Sequence, residues 1–145
     1  MLNGLYIEAY SQNYFYQLFS HNSFTFGLID NLNNGQPPTL IGALYFHDDT
    51  NANTGFIGSG YSQAGVAGIV IYGLAIGGYG YIADGLAAKH GLPVVMACLL
   101  MPMNTMTTTS DFPGTLLTHG ALLSMIIIFI SRADRKTPFW ISVKK

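Results

Sequence analysis

Side chains able to do chemistry gather in two short polar stretches of an otherwise apolar chain: HDDTNAN at 47–53 and TSDFPGTLLTHG at 109–120. Asp48, Asp49 and Asp111 have the chemistry of general bases, and His119 could act as an acid, a base or a hydrogen-bond donor. Asn51, Asn53 and Ser110 add uncharged polar groups beside them. The first stretch carries oxygen and nitrogen donors of the kind metals use, but its spacing fits no metal loop, so no metal is expected and a solvated turn is the favoured reading. In the second stretch a polar run leads straight into an apolar segment that contains His119. An ionisable group inside such a segment is a site candidate, although it could equally make a structural bond to a neighbouring helix.

The elements that must position these groups follow from composition. Half of the 145 residues are hydrophobic and only 9% are charged, against about 25% in an ordinary soluble domain. Residues 1–62 contain no Lys or Arg, whereas five of the six basic residues lie in the last fourteen positions. That asymmetry is the mark of orientation across a bilayer, with the basic end cytoplasmic. The single cysteine, Cys98, excludes an intrachain disulfide. The opening LNGLYIEAYSQNYFYQ has neither the basic start nor the apolar core of a secretory signal.

Leu2, Tyr6, Tyr10, Tyr14 and Leu18 recur four apart, which predicts an aromatic helix face set against a membrane surface or against other helices. Asn22–Pro38 reads as loop. Ala64–Ala83 is uncharged and about as long as a bilayer core is thick, and Gly73 and Gly77 have the spacing of a close helix contact. Leu92–Met103 is apolar between Pro93 and Pro102. Placing Lys89 and the basic tail on one side requires it to span rather than to dip and return. The expected fold is therefore all-α and integral to the membrane, with about three spans near 64–83, 92–110 and 112–130. An outward amphipathic region over 1–62 precedes the membrane region of 63–131, and 132–145 forms a cytoplasmic tail. Within a continuous third helix, Asp111 and His119 would stand roughly 12 Å apart along the axis, lining one cavity without touching. An outward segment without a preceding span implies upstream helices, or a membrane partner, that export it.

The runs NANTGFIGSGYSQAGVAGIVIY (51–72) and TSDFPGTLLTHGALLSMIIIF (109–129), with the aromatic run NYFYQLFSHNSFTF before them, resemble the carboxy-terminal region of bacterial oligosaccharide repeat-unit polymerases. The resemblance implies a multi-pass protein of the bacterial inner membrane that joins polyprenyl-diphosphate-linked glycan units into O-antigen or exopolysaccharide. It implies no cofactor and no nucleic-acid partner. The positions it carries over are Asn51, Asn53, Gly55, Asp111, Thr118, His119 and Gly120. Departure of a polyprenyl diphosphate calls for cationic stabilisation, and residues 1–62 supply none. The cation is expected from upstream sequence, so the 145-residue chain alone should be inactive. The competing expectations are a non-enzymatic transporter or channel subunit, in which His119 meets solute or protons, and a truncated product without activity.

Overall fold

The computed structural model describes residues 1–20, 25, 28–47 and 50–131. Its regular structure is wholly helical: α1 (Leu2–Gln12), α2 (Pro37–Phe46), α3 (Phe56–His90), α4 (Leu92–Thr108), α5 (Phe112–Leu117) and α6 (Ala121–Ile130). No strand occurs among the described residues. By length and composition α3 is long and apolar enough to cross a membrane, whereas α4 and α6 are shorter apolar helices. The basic tail and part of the 22–38 segment lie outside the described residues.

Two apolar clusters organise the chain. In the first, Tyr6 and Tyr10 of α1 pack with Ile41 of α2 and Ala52 of the segment before α3. The tyrosine face predicted for the amino-terminal helix is therefore spent on protein neighbours. Its period ends at Asn13, where α1 is capped, and Leu18 lies in a turn with φ 46°. The Tyr6 hydroxyl donates to the Ala52 carbonyl at 2.7 Å, so a phenol that is fully buried still has its polar end satisfied. The second cluster joins the carboxy-terminal part of α3 (Tyr79, Leu86) to Val95, Leu99 and Met106 of α4 and Met125 of α6. Outside it, Val70, Leu74, Leu100, Met101, Ile127 and Phe129 are exposed. An apolar exterior of that kind is unfavourable in water and natural in lipid.

The long helix is not straight. Ala64 (φ −154°, ψ 32°) and Gly65 (φ 61°, ψ −139°) leave helical geometry. At Gly65 the positive φ of 61° favours glycine, and the Tyr16 hydroxyl would lie 2.9 Å from an added Cβ. The chain folds back at this break, so that Gly60 and Gly68 cross backbone to backbone, and a Cβ on Gly60 would stand 2.9 Å from the Gly68 carbonyl oxygen. The carbonyls exposed by the break are taken by another segment: Gln17 N–H donates to Ser62 O at 2.9 Å and Leu18 N–H to Gln63 O at 3.0 Å. The Phe19 N–H donates to Oε1 of Gln63 at 2.7 Å. Residues 17–19 thus act as a strap across the break.

The third expected helix is also interrupted. Thr118 ends α5, and Gly120 (φ 75°) opens α6 in a left-handed conformation. A glycine there closes one helix and starts the next, which replaces the continuous segment expected over 112–130. Gly73 and Gly77 do not form an internal contact, since nothing lies within 4 Å of a Cβ added at either.

Candidate functional site

At one end of the helices, the segment before α3, the first turns of α3 and the α4–α5 turn enclose a polar cavity of about 320 Å³. That volume is at the lower end of the ~300–1,000 Å³ range of small-molecule sites. Its walls include Asn53, Thr54, Ser59, Ser62 and Gln63 on one side and Thr109, Ser110, Asp111 and Thr118 on the other, with Gln36 and Pro37 of α2 at the edge. Among the described residues, Asp111 is the only ionisable side chain lining it.

The buried wall is held by a relay of hydrogen bonds. Asn3 Oδ1 accepts from the Thr54 hydroxyl at 2.6 Å and from Gly58 N–H at 3.2 Å. Ser59 Oγ donates to the Thr54 carbonyl at 3.4 Å, and Ser62 Oγ to the Ser59 carbonyl at 2.7 Å. Gln63 is fully buried, with its amide nitrogen 3.5 Å from Ser62 Oγ. Because Gln63 is the last residue before the break, the same deformation that kinks α3 fixes this wall.

On the facing wall, Asp111 is the N-cap residue of α5 and has extended backbone, with its carbonyl accepting from Thr115 N–H at 3.1 Å. Its carboxylate lies over Gly114, in the space that a Cβ at 114 would occupy. The Thr118 hydroxyl bonds the Gly114 carbonyl at 2.5 Å, fixing the side chain at the end of the same short helix. The field of Asp111 reaches the other half of the protein. Burial foremost, then Tyr10 and then Asp111, hold the Tyr6 phenol neutral well above the ordinary tyrosine range.

Of the residues expected from sequence, Asn53, Ser110, Asp111 and Thr118 come together around the cavity. Asn51 is exposed and outside the lining. Gly55 is buried at the start of α3, where a Cβ would strike the Thr107 carbonyl, so the structure gives it a packing role. Gly120 serves the α5–α6 junction. His119 is exposed in that junction and does not line the cavity, contrary to the expected place inside an apolar helix. Asp48 and Asp49 lie outside the described residues. Among the described residues, no group of three His, Cys, Asp or Glu side chains is arranged to hold a metal ion.

Sequence reasoning missed Thr54, Ser59, Ser62 and Gln63. Their signal was present, since Ser59, Ser62 and Gln63 interrupt a Gly-rich apolar run just before its first uncharged twenty residues. Gly114 was also missed, because a glycine's value as space for a neighbouring carboxylate has no local signature. No family model, curated protein or solved structure matches the chain.

Proposed function

We propose that the chain is part of a multi-pass bacterial inner-membrane polymerase that joins polyprenyl-diphosphate-linked oligosaccharide units into surface polysaccharide, and that the Asp111 cavity is part of its glycan site. The observation that carries this reading is the convergence of Asn53, Ser110, Asp111 and Thr118, from stretches far apart in the sequence, on one polar cavity. These residues belong to the two stretches on which the resemblance to such polymerases rests. The exposed apolar flanks of α3, α4 and α6 support a bilayer setting.

In the reaction, the Asp111 carboxylate accepts the proton of an acceptor-sugar hydroxyl. That oxygen bonds to the anomeric carbon of the donor while the bond from this carbon to the diphosphate oxygen breaks, and the electron pair leaves with the diphosphate. Lys89, the only Lys or Arg among the described residues, lies 5.4 Å over the Phe129 ring at the far end of α3, and among those residues no cation lines the cavity. In this reading the charge of the leaving group is met by upstream helices of the same protein or by a membrane partner.

A second reading draws on the break in α3, because discontinuous helices line solute sites in transporters. Complementation of a deletion strain separates the two. The full-length polymerase carrying the wild-type chain should restore the polysaccharide ladder, and the same protein with Asp111→Asn should not. A normal ladder with Asp111→Asn would remove the catalytic assignment, and solute uptake that depends on the gene would favour transport.

A further inference from the structure

We infer that Phe19 and Tyr72 are positioning residues for the Asp111 cavity, and that docking of the 17–19 strap sets both of its walls at once. On the first wall the connection is made by hydrogen bonds. The Gln17 N–H donates to the Ser62 carbonyl at 2.9 Å, and the Phe19 N–H donates to Oε1 of Gln63 at 2.7 Å. Ser62 and Gln63 both line the cavity, and both are fully buried. In a close-packed interior, a shift of the strap is passed on to them.

On the second wall the connection is made by aromatic rings. The Phe19 and Tyr72 ring centroids lie 5.9 Å apart with 45° between planes, and those of Tyr72 and Phe112 lie 6.3 Å apart with 52° between planes. Both separations fall in the ~4.5–7 Å range of favourable ring pairs. Tyr72 is buried on the part of α3 beyond the break. Phe112 is the first residue of α5 and directly follows Asp111, the N-cap. Holding its ring holds the start of α5, and with it the carboxylate that overlies Gly114. Phe19 thus serves both walls, with its backbone bonded to one and its ring packed towards the other. When the strap is undocked, Gln63 loses its N–H partner and Tyr72 loses the Phe19 ring, so the two walls are no longer set by one segment. The coupling is independent of what the cavity takes, a glycan or any other solute.

Amide exchange, followed residue by residue by NMR on the chain in lipid nanodiscs, tests the coupling. Phe19→Leu keeps the backbone bond to Gln63 and removes the ring. The N–H groups of Thr115 and Thr118 donate to the Asp111 and Gly114 carbonyls. Their exchange should accelerate roughly threefold or more in Phe19→Leu, while exchange at Met125 of α6 stays unchanged. Phe19→Tyr, which keeps a ring, should restore the wild-type rates. In a Tyr72→Leu background, Phe19→Leu should have no further effect on α5. Coupling is reciprocal, so Phe112→Leu should accelerate exchange at Phe19 by roughly threefold or more, an arm that stands even if Phe19→Leu does not fold. Rates in α5 unmoved by Phe19→Leu, an equal acceleration at Met125, or an undiminished effect with Tyr72→Leu present would overturn the inference. Rates at Phe19 unmoved by Phe112→Leu would do the same.

Discussion

Gly60 and Gly68 touch backbone to backbone where the two parts of α3 cross, and a methyl group on Gly68 would fall on the Gly60 carbonyl oxygen. The crossing is what allows residues 59–63 to turn their polar side chains towards the cavity while the rest of α3 presents an apolar surface.

Gly68→Ala should therefore destabilise the protein by about 1–3 kcal/mol, because the obstacle is backbone and cannot rotate away. Gly77→Ala, at a position with open space, should stay within about 1 kcal/mol of wild type. Thermal unfolding in detergent micelles compares the two, and equal losses would show that the crossing does not carry the stability assigned to it.

Gln63→Met keeps the length of the side chain and removes the acceptor of the Phe19 N–H. Leaving that N–H without its partner should cost about 1–3 kcal/mol. The sharper readout is local: amide exchange at Phe19 should accelerate roughly tenfold or more, while exchange in α6 stays unchanged.

Tyr6 and Tyr10 give the protein an alkaline limit. Burial chiefly raises both phenols, with Tyr10 pushed up to about 12 and Tyr6 further. The unfolded chain loses these protons near pH 10, whereas the folded chain keeps them. Folding therefore binds protons in this range, and stability falls as pH rises from about 10 through the folded values. Thermal midpoints from pH 8 to 12 should drop steeply for wild type. The drop should be shallower for Tyr10→Phe, compared with its own value at pH 8.

Gly114→Ala tests positioning rather than chemistry. The added methyl takes the space of the Asp111 carboxylate, so polysaccharide synthesis should fall, though less than the roughly 100-fold or greater loss expected of Asp111→Asn. His119→Ala should leave chain length and yield within twofold of wild type, because that side chain is exposed and outside the cavity. A loss with His119→Ala as large as that with Asp111→Asn would return the histidine to the site.

Helical content and the apolar character of α3 were legible because they rest on local features, uncharged length and fourfold spacing. The break was not. Seven glycines fall between Gly58 and Gly78, and only docking of residues 17–19 selects Gly65 among them as the turning point. The tyrosine spacing located the buried face of α1, yet period alone cannot tell a protein neighbour from a lipid headgroup. His119 was misplaced because the apolar pattern runs on past a glycine that in fact ends the helix. The polar residues of the second stretch were found, and their partners in the first turns of α3 were overlooked because they are distant in sequence.

The strap at 17–19 carries a consequence for biogenesis. Leu18 and Phe19 both adopt left-handed backbone, with φ 46° and 64°, a conformation that disfavours side-chain-bearing residues by about 1–2 kcal/mol each. They hold it while bonded to a helix that is synthesised some forty residues later. The nascent amino-terminal segment must therefore wait, unlatched, until α3 has left the ribosome. Only then can the latch close, so kinking of α3 and completion of the cavity are late steps in maturation.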